Sequence, residues 1–403
     1  MRILLTQKTA YLPTWGGANK SNRLILETMV KRGHQCRAVA LACGAQACHT
    51  HEAFRAALIE RRIRFESIGP DAEAFDLNGV GITAVTESKS MDYWLVRAIR
   101  DFDPDWVLVA SEDPGQVLLR TALKESPSRA VYLARTTLAL PFGPDSPIHS
   151  RVGTSLLHRV TGIVVVSEYL REYFRRWANL DSIELAICPN GPGPFPNFGR
   201  FDSGFVTIIN PCTYKGISIF AALARAMPDT QFAAVPTWGT TERDKHLLAK
   251  ISNVRLLTPS DHIDDIYAAS RILLVPSLWA EAKANVITEA MLRGIPVLAS
   301  DAGGNSEAKL GIDYLLPVNP ITEFHNELDE RLLPMAKVPE QPMDAWLNAL
   351  RDLLTSRASY ERISIASRNA ALAANEKQTV DPLEDYLAHL RRHPVSCEIP
   401  TQQ

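Results

Sequence analysis

A basic excess is the first thing this chain lacks: its 403 residues carry 43 lysines and arginines against 45 aspartates and glutamates, a formal net charge of −2. Electrostatic nucleic-acid binders gather positive charge on one face, so nucleic acid is not an expected partner. Long apolar runs are also missing. Nowhere do about eighteen apolar residues run together, as a membrane-spanning helix requires. The opening "MRILLTQKTAYLPTWGGA" lacks the uninterrupted apolar stretch of a secretion signal. A cytoplasmic chain without stable membrane association is expected. Cysteines number only 6 and are scattered, which excludes a disulfide framework and leaves reduced thiols. The densest group, Cys36, Cys43, Cys48, His49 and His51, has no paired spacing of the C-x2-C kind and reads as a buried strand followed by a polar loop. No metal is expected, and the absence of a short fixed period excludes a solenoid.

What is present is the composition of a globular protein, 46% apolar and 22% charged, in a chain too long for one core. Short β-branched runs alternate with helical patterns from the start. "RILLT" reads as a buried strand, "SNRLILETMVKRG" as a helix closed by Gly33, and "CRAVALA" as the next strand. "DWVLVAS", "AVYLA", "GIVVVS" and "IELAIC" follow, separated by helices or long loops as a parallel sheet requires. "PNGPGPFPNFGR", from Pro189 to Arg200, forbids helix and central strand alike and reads as a stiff linker. Beyond it the alternation restarts with "GFVTIIN", "QFAAV", "VRLL", "RILLVPS" and "IPVLAS", and from Pro342 to Arg392 the pattern is helical. The expected fold is α/β, two doubly wound Rossmann-like domains facing a cleft. Residues 1–192 form the first, 193–375 the second, and 376–403 a helix returning to the first domain with a loose tail.

In the second half, acids and bare amides converge. Glu281 follows the strand "RILLVPS", and Glu289 lies in the helix of "ANVITEAMLRG", an E-x7-E spacing. Between them Ala282, Lys283, Ala284 and Asn285 place amides near a helix start, where they have no intrahelical partner. A carboxylate beside such amides suits vicinal sugar hydroxyls, which donate to the acid and accept from the amides. The next strand ends in "DAGGNSE", where Gly303 and Gly304 permit close backbone approach. Lys215, in "NPCTYKGI", also follows a buried strand directly, where open α/β folds bind ligands.

"EAKANVITEAMLRGIPVLASDAGGNSE" resembles the nucleotide-sugar signature of the GT-B glycosyltransferases of the family 4 type. "GGANKSNRLILETMVKRGHQCRAVAL", "FDPDWVLV", "GIVVVSEYL", "CPNGP" and "YKG" resemble its other segments in order, so the similarity covers nearly the whole chain. The resemblance implies a retaining hexosyltransferase that uses a nucleoside-diphosphate sugar, UDP- or GDP-linked, as co-substrate without a cofactor or metal. It implies that Glu281 holds donor hydroxyls with the amides of Ala282 to Asn285, that Glu289 accepts from the ribose, and that Lys215 neutralises the diphosphate with Gly16 and Gly17 opposite. Two departures stand out. Asn210 occupies the place of an arginine that many relatives carry, and no histidine follows "AVYLA". Arg135, Thr136 and Thr137 are the candidates to replace it, with Arg135 a source of the missing cationic charge. Trp238 and Thr240 are candidates to lie beside the base. The acceptor, whether carbohydrate, natural product or lipid-linked, is expected near Tyr11, Trp15 and the "LPFGPDS" loop.

Rival readings are a sugar-nucleotide epimerase or hydrolase on the same fold and a non-catalytic sugar-binding protein. The stripe of Tyr169, Leu170, Tyr173, Phe174 and Trp177 in "EYLREYFRRW" reads as an ordinary core face ahead of a membrane-surface helix.

Overall fold

A computed structural model describes residues 1–14, 16–44, 48, 50–185, 190–191, 193–260 and 262–392. The chain divides into two compact units, Met1–Cys188 with Thr379–Gln403, and Pro189–Gln378.

The first unit is built on a nine-stranded sheet of β1 Arg2–Gln7, β2 Gln35–Leu41, β3 Phe65–Gly69, β4 Ala72–Leu77, β5 Val80–Val85, β6 Trp106–Ala110, β7 Ala130–Ala134, β8 Gly162–Val165 and β9 Ile183–Glu184. Their order is β3-β4-β5-β2-β1-β6-β7-β8-β9. β6 and β7 are buried at every residue, which is why "WVLVA" and "AVYLA" show no polar alternation. Helix Gly17–Lys31 covers one face with Ile25, Leu26 and Met29. The helix Glu168–Ala178 turns Leu170, Tyr173 and Phe174 inward, as a core face does, and leaves Trp177 44% exposed.

The expectation of a parallel sheet fails at one edge. β3 and β4 pair antiparallel, as do β4 and β5. Asn78 at φ 53° and Gly79 at φ 82° link Leu77 to Val80 as a two-residue turn. Positive φ at both central residues matches the right-handed twist of the strands, so the Asn-Gly dipeptide carried a hairpin signal that the reading of the sequence passed over.

The second unit has a six-stranded sheet of β10 Phe205–Ile209, β11 Phe232–Val235, β12 Val254–Leu256, β13 Ser270–Val275, β14 Val297–Ser300 and β15 Leu315–Leu316, in the order β12-β11-β10-β13-β14-β15. Every pairing is parallel. An antiparallel hairpin, β16 Phe324–Leu328 and β17 Pro334–Ala336, follows, and the sequence had not suggested it. The proline-rich segment is fastened to this unit. Phe195 and Phe198 pack on its core, and Phe198 N donates to Arg293 O at 2.8 Å. A Cβ on Gly199 would stand 2.3 Å from Gly294 O, so only glycine permits that approach.

Among the described residues no helix is long and apolar enough to cross a membrane.

Candidate active site

In the second sheet the strand order reverses between β10 and β13. Loops at such a reversal diverge and leave a crevice outside the carboxyl ends of the strands, where open α/β sheets bind ligands. The loop after β10 makes a tight turn over Thr213–Lys215 and ends at Gly216 with φ 75°. An added Cβ there would lie 1.9 Å from Pro276 O, so the two loops meet backbone to backbone and no other residue fits. Leu278 N donates to Tyr214 O at 2.9 Å and fixes their registry.

That registry brings Lys215 to Glu281. The Lys215 ammonium forms an ion pair with Glu281 Oε1. Ser277 Oγ donates to the same oxygen at 2.6 Å. Lys215 Nζ also lies 5.0 Å from the Trp279 ring centroid, a cation–π contact, and Trp279 meets Tyr214 edge-on at 5.6 Å. Glu281 is only 5% exposed. A carboxylate so enclosed requires its partners, because losing one leaves a buried charge uncompensated. Ser277, Trp279 and Tyr214 were not singled out from sequence; their signal was their place in the same two strand-end loops.

Gly303 and Gly304 admit the Glu281 segment itself. Gly303 bridges Glu281 in parallel fashion, and Gly304 N donates to Glu281 O at 2.7 Å. Added Cβ atoms would fall 2.3 Å from Glu281 O and 2.1 Å from Ala282 O. The glycine pair thus holds the acid in place from the neighbouring strand end.

Helix Asn285–Leu292 begins after Ala284 with no side-chain cap and no acid in its first turn. Ala282 and Ala284 are buried, Lys283 and Asn285 half-buried. Glu289 lies deeper, 4% exposed, and Oε2 accepts from the Tyr267 hydroxyl at 2.9 Å. Burial, with the Glu289 charge beside it, holds the Tyr267 hydroxyl well above its ordinary range. Arg293 covers the Tyr267 ring at 4.9 Å, pairs with Asp264, and donates to Glu289 O at 2.8 Å. Sequence reasoning missed this brace around Glu289 because Asp264 and Tyr267 come from the preceding helix.

Asn210 adopts φ 61°, a left-handed conformation that asparagine tolerates better than arginine. Its Oδ1 accepts from Gly239 N at 2.9 Å and from Thr240 Oγ1 at 3.3 Å, which ties the loop after β10 to the loop after β11. Thr240 is fully buried and its hydroxyl accepts from Thr237 N at 3.2 Å, so it braces that loop, while Trp238 keeps part of its surface. Burial raises the neighbouring Cys212 thiol to about 12.

In the first unit Gly16, at φ 87°, opens helix Gly17–Lys31, which has neither a side-chain cap nor an acid in its first turn. Arg135 N donates to Ser111 Oγ at 2.9 Å and its Nη2 to Asn22 Oδ1 at 3.3 Å. Burial lowers its guanidinium to about 10, against the opposing pull of the Glu112 charge. Thr136 Oγ1 accepts from Leu138 N at 3.2 Å, and Thr137 is buried. Tyr11 is enclosed in the first unit's core, and Trp15 lies outside the described residues. Of the cysteine and histidine group, His51 bonds Glu73 at 2.6 Å, and His49 lies outside the described residues. Among the described residues, no group of three or more His, Cys, Asp or Glu side chains is placed to hold a metal ion.

Comparisons with known proteins bear on the family and the fold. The "Glycosyltransferase Family 4" profile matches residues 15–192 and the "Glycosyl transferases group 1" profile residues 204–332. A sucrose-phosphate synthase from Thermosynechococcus elongatus superposes with a TM-score of 0.68 at 15% identity, covering 97% of this chain and 98% of that one. Anabaena HepE in complex with UDP-glucose gives a TM-score of 0.61 at 17% identity, covering 96% and 98%. An exopolysaccharide phosphotransferase of Streptomyces coelicolor is 26% identical over 265 residues, 60% of this chain. The match spans only 27% of that longer protein. The structural likenesses, at such low identity, speak for the fold, and the two profiles each claim one unit. Together they place the chain among the GT-B glycosyltransferases of the family 4 type.

Proposed function

We propose that the protein moves a sugar from a nucleoside-diphosphate sugar to an acceptor hydroxyl, with retention of configuration and without a metal. The observation that carries this reading is the Lys215–Glu281 pair, steadied by Ser277, at the strand reversal of the second unit. With no donor bound, the two charges neutralise each other. An arriving diphosphate competes for the Lys215 ammonium, and the released Glu281 carboxylate accepts from sugar hydroxyls while the amides of Ala282 to Asn285 donate to them. Glu289 faces the ribose in this reading.

Breaking the bond from sugar C1 to the diphosphate oxygen builds negative charge on the leaving group, and a fixed ammonium there lowers the barrier. The acceptor oxygen bonds C1 on the same face, and its proton passes to the departing diphosphate. No protein base is required, so the carboxylate spacing rules of glycosidases do not transfer. HepE was solved with UDP-glucose, which makes UDP-sugars the first donors to try.

Thermal-shift screening with UDP-, GDP- and ADP-sugars tests the donor, since a ligand at a hundred times its Kd stabilises the native state by about 2.7 kcal/mol. Lys215→Ala should abolish the shift and lower kcat/KM by about a hundredfold or more. The double variant Lys215→Ala with Glu281→Gln should recover stability lost in the single variant without recovering activity, because the stranded charge is gone. A full shift in Lys215→Ala would contradict the assignment. Anomeric proton NMR of the product reads retention, EDTA should leave the rate unchanged, and turnover without acceptor would indicate a hydrolase or epimerase.

A further inference from the structure

Lys215 Nζ has two neighbours in the crevice, the Glu281 carboxylate and the face of Trp279, whose ring centroid lies 5.0 Å away. The transferase reading gives the carboxylate another task. Once Glu281 turns to donor hydroxyls it no longer holds the ammonium, and the flexible stem of a lysine leaves that charge free to wander. A carboxylate would in any case be a poor holder during transfer, because a negative partner cancels the charge that the leaving diphosphate needs. An aromatic face attracts an ammonium through its quadrupole while carrying no net charge, so it fixes the cation and keeps its charge available.

Trp279 is itself fixed. It is 9% exposed, it meets the Tyr214 ring edge-on at 5.6 Å, and the Tyr214 hydroxyl is tied to Pro334 O. On the chain beside it, Leu278 N donates to Tyr214 O at 2.9 Å and Ile321 N to Leu278 O at 2.7 Å. The indole Nε1 is buried and makes no hydrogen bond among the described residues. An unpaired buried N–H costs stability that a purely apolar side chain would not, so packing alone does not account for a tryptophan here. What this side chain offers the site is its ring face, and tryptophan presents the strongest one to a cation.

We propose that Trp279 is a positioning residue for sugar transfer: its ring keeps the Lys215 ammonium on the diphosphate while Glu281 is engaged with the sugar. This rests on the transferase reading above, whose lysine it serves.

Calorimetric titration of the full chain with UDP and UMP, GDP and GMP, and ADP and AMP measures how strongly a second phosphate is preferred. In the native protein at least one pair should favour the diphosphate. Trp279→Leu should cut that preference about fivefold, the worth of a largely desolvated cation–π contact, and leave affinity for the monophosphate unchanged. Trp279→Phe, which keeps a ring face, should restore most of it. With Lys215→Ala in place, Trp279→Leu should have no further effect, since the ring acts through the lysine. Fluorinated tryptophans placed at 279 alone weaken the negative face of the ring at nearly constant size, and the preference should fall with each added fluorine. Because Nε1 is unpaired, no hydrogen bond changes along that series, which decides the matter if Trp279→Leu does not fold. No diphosphate preference in the native protein, a preference unchanged in Trp279→Leu or along the fluorine series, or losses that add in the double variant, overturns the proposal and leaves Trp279 as packing. A native protein that binds none of these nucleotides sinks the transferase reading and this role with it, whereas a native preference that the Trp279 variants leave intact sinks this role alone.

Discussion

Lys309 in the second unit has 1% of its surface exposed, and its Nζ donates to Val297 O at 2.7 Å. Burial pushes its ammonium from an ordinary 10.5 down to about 7, with Asp313 opposing the change. Between those values the unfolded chain binds a proton that the folded protein does not, so this residue makes stability rise with pH from about 7 to 10.5. Lys309→Met should therefore raise the Tm most at pH 7 and below, with the gain shrinking toward pH 10.5; a gain independent of pH would contradict the burial argument. Legibility at this scale followed position. Lys215 and Glu281 could be picked out because each follows a strand end recognisable from local pattern. Asn210 was noted only as a departure, and its left-handed backbone explains why a short amide side chain stands there.

The hairpin β16–β17 ties together the two loops that flank β10 and β11. The Tyr214 hydroxyl donates to Pro334 O, and the Tyr214 ring stacks on Phe324 at 6.5 Å. Arg331 Nε donates to Thr240 O at 3.0 Å, and Glu242 N to Glu330 Oε1 at 2.6 Å. Since Tyr214 precedes Lys215, the hairpin positions Lys215 through its neighbour. Tyr214→Phe should cost about 1 kcal/mol of stability, the worth of one hydrogen bond, and raise the KM for the nucleotide sugar. Denaturant unfolding and donor titration read the two effects, and an unaltered KM would separate the hairpin from the site. This element escaped the sequence because its turn has no Asn-Gly. Asp329 makes it instead, its Oδ1 accepting from Arg331 N at 2.8 Å and Leu333 N at 2.9 Å, with Leu332 at φ 60°.

Over the whole molecule, the first unit is assembled from both ends of the chain. Helix Asp381–Arg392 places Leu383 and Leu387 in the core formed by Ile3, Leu26 and Trp106, and Leu390 joins them. Glu384 bonds His34 Nε2 at 2.9 Å and pairs with Arg32. Gly162 leaves room for Tyr386, whose hydroxyl oxygen would lie 2.4 Å from an added Cβ. Leu387→Ala should cost about 3 kcal/mol, the usual loss for a buried leucine whose site cannot collapse. The unfolding midpoint checks this, and an unchanged midpoint would mean that the returning helix contributes nothing to the first core.

By itself the sequence determined the alternation of buried strands and helices, the two-unit plan, and the strand-end positions of Lys215 and Glu281. These are consequences of local periodicity and chain order, which residues close in sequence encode. Tertiary structure decided the antiparallel edge at β3–β5, the pairing of Lys215 with Glu281 across 66 residues, and the brace around Glu289. Each depends on which strands lie side by side, and that is settled by the burial of whole faces, to which no single stretch of chain holds the key.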